Sequence, residues 1–132
     1  MRVLDERERE SRRALGTPEG EPPDLAELSR RAGRPVFCTR GARGILLADT
    51  RGTPPRTEAV PAYPVSGPID IVGAGDSTSA AIACALAAGA KLEEAAAFGN
   101  LVASITIQQI GTTGIATPEQ VRERWVEVQL KT

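Results

Sequence analysis

An α/β fold with three layers, in which helices cover both faces of a partly exposed sheet, is predicted by two features of the sequence. The β-branched run 69–72 ends in a glycine-rich turn and is followed by an alanine-rich segment, which is the pattern of a strand, a tight turn and a helix N-terminus. The short apolar runs 35–39 and 44–48 predict two further strands joined by a hairpin-like turn. Strands therefore occur together with helices along the chain, as an α/β domain requires.

The length and charge of the chain limit its class. Its 132 residues predict one domain over 1–132 that is long enough to bury a core. A formal net charge of −1 argues against nucleic acid and anionic membranes as main partners. Histidine is absent, which excludes Ser-His-Asp catalysis, Cys-His catalysis and most zinc sites.

The cysteines and the apolar segments indicate the compartment. Cys38 and Cys84 are far apart in apolar runs and are predicted to be buried reduced thiols. The charged N-terminal segment 1–13 lacks the apolar stretch of a signal peptide, and no apolar run is long enough to span a membrane. We therefore expect a cytoplasmic protein that does not bind a membrane.

The N-terminal third predicts a strand, a charged segment and a short helix. Residues 1–4 have the character of a strand end, and 5–10 predict a surface helix of mixed charge. Residues 16–23 form a loop rich in Gly, Pro and Glu. Asp24 is expected to cap a helix over 25–32, because Gly33 and Pro35 stop it.

The remaining elements follow from turns and caps. Residues 58–63 predict an edge strand, because Pro61 cannot lie in a central one. Two helices are predicted over 77–88, apolar all round and so buried on several sides, and over 92–110. A capping box at 117–120 predicts a last helix to about residue 128, with Trp125 in the core.

The turn at 73–76 carries the most chemistry. Glycines at 73 and 75 allow backbone N–H groups to point into the turn, and the following helix leaves its first amides unpaired. Such a turn holds an anion, and Asp76 beside it could remove a proton from an attacking hydroxyl, which suggests phosphoryl transfer. Two other interpretations are open: Asp76 caps the helix, or the turn binds a dinucleotide, although Thr78 replaces the third glycine of that pattern.

The run 70–77, Asp-Ile-Val-Gly-Ala-Gly-Asp-Ser, resembles the second signature of the ribokinase-like sugar kinases, the PfkB family. The resemblance implies that the amides of Gly73, Ala74, Gly75 and Asp76 form the anion hole for the transferred phosphoryl group, with Asp76 as catalytic base. It also implies a place for Asp70 in a monovalent-cation (K⁺) loop. The implied fold is the ribokinase-like, Rossmann-like α/β fold.

A second pattern of the same family precedes this one. Residues 39–44, Thr-Arg-Gly-Ala-Arg-Gly, fit T-x-G-x-x-G, which in the family lines the phosphates and ribose of the nucleotide. The resemblance thus implies nucleotide binding by Thr39, Gly41 and Gly44. As an isolated pattern the glycines favour an ordinary hairpin, and it is the order and distance to the 70–77 run that favour nucleotide binding.

The helix and loop that follow the 73–76 turn extend the resemblance. Asn100 matches an asparagine that faces the adenine pocket in the family, although it is also compatible with a polar residue on a partly exposed helix face. The loop from Gly111 resembles the segment near the base and the monovalent ion. The run 109–113 resembles the heptose-phosphate kinase branch of the family.

A third match concerns magnesium. The run 5–8 fits the family's N-x-x-E with Asp in place of Asn, so the resemblance implies that Glu8 organises Mg²⁺. The alternative to a magnesium site is that this run is a solvent-exposed surface helix. Mg²⁺ would otherwise be carried by ATP.

The resemblance covers only the C-terminal portion of the family's fold, without its sugar-binding half. We therefore expect an incomplete sheet and exposed apolar surface of the kind that drives association. A homo-oligomer, or a partner that supplies the missing half, would follow. The implied function is ATP-dependent phosphoryl transfer to a sugar or nucleoside hydroxyl, and the alternative is a catalytically inactive nucleotide-binding or interaction module derived from such a kinase.

Overall fold

The structure is a computed structural model that describes residues 2–4, 24–111 and 114–130, with residues 2–4 as backbone only. The chain divides into two compact units, Met1–Pro61 and Ala62–Thr132. The predicted charged helix 5–10 and the loop 16–23 lie outside the described residues.

A mixed sheet forms the first unit. Its strands are β1 (Arg2–Leu4), β2 (Val36–Thr39), β3 (Ile45–Asp49) and β4 (Arg56–Val60), in that spatial order for the described part of the chain. β1 lies parallel to β2, whereas β2, β3 and β4 pair antiparallel. The strand predicted over 58–63 thus exists as an edge strand, but it ends before Pro61 because proline has no N–H for a ladder.

Helix α1 (Leu25–Ala32) covers one face of this sheet, and its bounds agree with the prediction. The Asp24 carboxylate accepts from the Glu27 amide at 3.1 Å, and Gly33 ends the helix at a φ of 68°. Buried side chains from the helix and two strands form the core: Leu25, Leu28, Val36, Cys38 and Ala48. All four residues of β2 are buried, as expected for a strand inside a layered α/β fold.

Three helices are described in the second unit: α2 (Ala74–Ala87), α3 (Leu92–Thr106) and α4 (Pro118–Leu130). α2 and α3 meet at Gly99, where a Cβ would lie only 2.8 Å from Cγ1 of Ile82. α4 begins with the predicted capping box, since the Thr117 amide donates to Gln120 Oε1 and the Gln120 amide donates to Thr117 Oγ1.

The predicted strand over 69–72 is wrong. The structure has an irregular segment there that ends in a turn, and Ile69, Ile71 and Val72 are more than half exposed. A β-branched run becomes a strand only when a neighbour completes its hydrogen bonds, and no described strand pairs with this segment.

Two helix bounds and two burial predictions also differ. α2 begins three residues before the predicted residue 77, at Ala74, and α3 ends at Thr106 instead of residue 110. α2 buries Thr78, Ala81 and Ile82 but exposes its opposite face, which includes Cys84, so this thiol is not buried. Trp125 is 48% exposed and is not the predicted core residue.

None of the described helices is both long and apolar enough to cross a membrane.

Candidate functional site

The turn before α2 presents backbone N–H groups without acceptors. Gly73 adopts the left-handed conformation (φ 79°, ψ 0°) that turns the chain into the helix. The Ala74 amide donates to the Ile71 carbonyl at 3.0 Å, whereas the amides of Gly73, Gly75 and Asp76 donate to none of the described residues. These N–H groups lie at the positive end of the helix dipole, so the turn can bind an anion.

The Asp76 carboxylate lies in the first turn of α2 and is exposed. Gly73 occupies the N-cap position of this helix, and no side chain forms a capping hydrogen bond there. The Asp76 carboxylate makes no hydrogen bond or ion pair with any residue that the structure describes. The interpretation of Asp76 as a helix cap is therefore wrong, and its carboxylate is open to a ligand.

Asp70 ties this turn to the loop after α3. Its Oδ1 accepts from the Val72 amide at 3.0 Å, and its Oδ2 accepts from the Gly111 amide at 2.9 Å. The Asp70 amide in turn donates to the Ile107 carbonyl at 2.7 Å. The hydrogen bonds from Val72 and Gly111 lower the pKa of the Asp70 carboxyl, because they stabilise its charged form.

The loop after α3 is held by further contacts. Nε2 of Gln109 donates to the Ile115 carbonyl at 2.6 Å, and the Ile115 amide donates to Oε1 of Gln109 at 3.0 Å. Gly114 lies against Thr106, where a Cβ would come within 2.5 Å of the carbonyl oxygen. Gly111, with a φ of 79°, thus lies in a loop whose flanks are fixed.

Asn100 is buried on α3, so it is not a polar residue on a partly exposed face. It belongs to the same unit as Gly73, Asp70 and Gly111. Its assignment to an adenine pocket stays a prediction.

The turn between β2 and β3 forms several hydrogen bonds within itself. A short 3₁₀ helix, Gly41–Arg43, follows the buried Thr39. The Arg40 amide donates to the Gly44 carbonyl at 2.8 Å, and the Gly44 amide donates to the Gly41 carbonyl at 3.0 Å. The Arg43 amide donates to the Arg40 carbonyl as well, whereas the amides of Gly41 and Ala42 donate to none of the described residues.

A side chain that the sequence interpretation did not single out lies in this turn. The Nε of Arg40 is buried and has no hydrogen-bond partner among the described residues, while its NH2 group donates to the Arg43 carbonyl at 3.2 Å. A buried guanidinium nitrogen without an acceptor is costly unless a ligand supplies one. The sequence signal was a cation at the end of a strand, inside the glycine pattern.

The metal predictions have little support from the described residues. Glu8 lies outside them. Within residues 2–4, 24–111 and 114–130, no group of three or more Asp, Glu or Cys side chains is arranged to hold a metal ion. Both oxygens of Asp70 accept backbone hydrogen bonds. A monovalent cation near Asp70 stays a prediction.

The predicted site residues thus fall into two groups. Gly73, Gly75 and Asp76 lie with the Asp70–Gly111 connection in the second unit, and the 39–44 turn lies in the first.

Comparison with known proteins assigns the family. Residues 6–120 match the model of the pfkB family carbohydrate kinases. The bifunctional protein HldE of Azotobacter vinelandii is 36% identical over an alignment that covers 74% of this chain and 24% of that protein. Ribokinase of Bacillus subtilis is 36% identical and is matched over 67% of this chain and 29% of its own length.

The fold of solved kinases agrees. The structure of Arabidopsis thaliana ribokinase complexed with ribose and ATP has a TM-score of 0.75 at 23% identity, and the match covers 89% of this chain and 38% of that one. The predicted ribokinase-like α/β fold with an incomplete sheet is therefore confirmed. The chain spans less than a third of the length of these two curated relatives. It belongs to the pfkB family of carbohydrate kinases.

Proposed function

We propose that this chain forms the nucleotide-binding part of a kinase that transfers a phosphoryl group from ATP to a sugar or nucleoside hydroxyl. The observation that carries the proposal is the turn before α2, where the amides of Gly73, Gly75 and Asp76 have no acceptor among the described residues and the Asp76 carboxylate beside them is exposed. Donors for a developing negative charge and a base for the nucleophile are the two groups that phosphoryl transfer needs.

The residues of the chain have separate tasks in this reaction. The unpaired amides of the 73–76 turn hold the oxygens of the transferred phosphoryl group, and Asp76 accepts the proton of the attacking hydroxyl. The hydroxyl oxygen bonds to the γ-phosphorus of ATP while the bond between that phosphorus and the bridging oxygen breaks, so that ADP leaves. Asp70 acts at a distance, because its hydrogen bonds fix the turn against the Gly111 loop.

The turn at 39–44 contributes a cation. The Arg40 Nε is buried without an acceptor among the described residues, and a phosphate oxygen of the nucleotide would satisfy it. Thr39, Gly41 and Gly44 would shape the loop beside it.

Magnesium is assigned to the nucleotide. The described residues contain no group of three carboxylate or thiol ligands, and Mg²⁺ is commonly bound through substrate phosphates and water. The ion would neutralise charge on the phosphates when bound.

The alternative is a nucleotide-binding module without catalytic activity. The turn before α2 would bind a phosphate through its backbone amides even if no transfer takes place. The exposed face of α2, which includes Ala80, Ala83, Cys84 and Ala87, is compatible with association with a partner or a second copy.

Two measurements on the chain separate these functions. Calorimetric titration with a non-hydrolysable ATP analogue and Mg²⁺ reports binding, after circular dichroism has shown a folded sample, and ADP production with a panel of sugars, sugar phosphates and nucleosides reports transfer. Saturable binding with turnover supports the kinase, and saturable binding without turnover supports the silent module. A folded chain that does not bind the analogue contradicts both.

A further inference from the structure

A half-open cavity of about 420 Å³ lies in the second unit, away from the turn before α2. Its walls are one face of α3, one face of α4 and the side chain of Tyr63. The chain has one tryptophan, one tyrosine and two phenylalanines, and three of these four aromatic side chains line the cavity: Tyr63, Phe98 and Trp125. This volume and this apolar lining are typical of small-molecule sites.

A buried arginine holds the walls in place. Arg124 of α4 is only 5% exposed; its Nε donates to Ser104 Oγ on α3 at 3.0 Å and its NH2 group to the Pro64 carbonyl, next to Tyr63, at 2.6 Å. The Arg124 side chain therefore links α4 to the two other walls of the cavity, which are α3 and the segment of Tyr63. Ala97 contributes only a methyl group to the lining, which leaves room for a ring.

The cavity leaves an aromatic surface exposed to water. Trp125 is 48% exposed, and Tyr63 and Phe98 are half-buried. A planar apolar group in the cavity would remove part of these three rings from solvent and stack against them. The shape and lining thus favour a small aromatic ring.

The lining carries one cation and one acid, and the cation is the group without a partner among the described residues. Arg122 is exposed and makes no hydrogen bond or ion pair with any described residue. The one acidic residue in the lining, Glu94, already accepts from the Lys91 amide at 2.8 Å. We propose that the cavity is a second ligand site, distinct from the nucleotide turn, which binds a small aromatic carboxylate with its ring among Tyr63, Phe98 and Trp125 and its carboxylate at Arg122.

The single tryptophan makes the proposal directly testable. Trp125 emission reports on this cavity alone, because the chain has no other tryptophan. The probes are 3-phenylpropionate, its neutral amide and the amine of the same length, each titrated without nucleotide. We expect a saturable change of Trp125 emission with the carboxylate, which binds about fivefold tighter than the amide, because an exposed ion pair contributes up to about that factor.

Two variants distinguish this site from unspecific binding. Arg122→Gln should abolish the preference for the carboxylate over the amide, since it removes the cation but keeps a polar side chain. Ala97→Leu should fill the cavity and abolish binding of both probes, and circular dichroism checks that it folds. Because Arg122 is exposed, its variant keeps the test valid even if Ala97→Leu does not fold.

Three results overturn the proposal. One is the absence of any saturable change with the carboxylate, and another is tighter binding of the amine. The third is a Trp125 emission that changes with the concentration of the protein but not with that of the probe. This result would mean that a second copy of the chain covers the cavity. All three outcomes are independent of nucleotide binding, so they leave the proposed kinase function untouched.

Discussion

The two glycine turns of this chain, 39–44 and 73–76, look alike in sequence but differ in how many of their backbone amides have acceptors. The turn 39–44 pairs the amides of Arg40, Arg43 and Gly44 within itself and leaves those of Gly41 and Ala42 without acceptors among the described residues. The turn 73–76 leaves the amides of Gly73, Gly75 and Asp76 without acceptors among the described residues. The first turn is thus held mainly by its own hydrogen bonds, whereas the second leaves most of its amides open at the N-terminus of α2, where an anion can bind.

This difference separates the two kinds of contribution to a phosphate site. In the second turn the donors are backbone groups fixed by α2, so they need no rearrangement to meet a charge. In the first turn the donor is a side chain, the buried Arg40 Nε. Variants of each turn should therefore fail in different ways.

The largest effect is expected from Asp76→Asn. The amide cannot accept the proton of the hydroxyl, so turnover should fall by about 10²- to 10⁴-fold while the affinity for the ATP analogue is kept. Glu119→Gln is the matched control, because Glu119 is an exposed acid in the first turn of α4. Equal turnover of Asp76→Asn and the wild type, measured as ADP production with the preferred substrate, would contradict the assignment of the base.

The second test exchanges a glycine in each turn. Gly44 has a φ of 82° and a ψ of −145°, a region that is almost exclusive to glycine, so Gly44→Ala should lower the free energy of unfolding by about 1–3 kcal/mol. Gly73 lies in the left-handed region, where alanine costs about 1–2 kcal/mol. We expect Gly44→Ala to lose more stability in urea unfolding and Gly73→Ala to lose more affinity for the ATP analogue in calorimetry. The reverse order would remove the distinction between the turns.

Arg40→Gln measures what the first turn contributes through its side chain. If Arg40 Nε binds a phosphate oxygen, its loss should lower the affinity for the ATP analogue about tenfold. Arg34→Gln is a control in the same unit, because Arg34 is an exposed residue outside the turn. An unchanged calorimetric affinity in Arg40→Gln would mean that this nitrogen does not meet the nucleotide.

The smallest effect concerns the pH dependence of stability. The amides of Val72 and Gly111 lower the pKa of Asp70 in the folded state, so this carboxylate stabilises the fold above the pKa of the unfolded chain, about 3.9. That contribution is lost as the pH falls through the lowered pKa. Asp70→Asn should therefore reduce the thermal midpoint at neutral pH, and the difference from the wild type should shrink as the pH falls below the pKa of the unfolded chain and through the lowered pKa. A difference that is constant with pH would exclude a role of the charge.

Local signals in the sequence predicted part of the fold well. α1 and α4 were predicted because Asp24 and the Thr117–Gln120 pair cap them with their own side chains, which needs no distant partner. The segment 69–72 and the side chains of Cys84 and Trp125 were predicted wrongly. Their environment depends on which neighbours cover them, and local pattern does not contain that information.

The candidate site divides in the same way into features that local sequence predicts and features that depend on distant contacts. The glycine and aspartate pattern predicted which residues form the 73–76 turn, because the pattern is contiguous in sequence. It did not predict that Asp70 reaches Gly111, 41 residues further along the chain, nor that Arg40 Nε is buried without a partner. Both facts follow from how distant segments fold together.

The most direct test of the central claim is an NMR titration of the labelled chain with the non-hydrolysable ATP analogue and Mg²⁺. We expect the amide resonances of Gly73, Gly75 and Asp76 to move saturably and downfield, because these N–H groups gain a phosphate acceptor. The amides of Arg40 and Gly44, which keep their internal acceptors, should move less. Unchanged resonances at Gly73, Gly75 and Asp76 in a chain that binds the analogue would contradict the claim that this turn is the anion site.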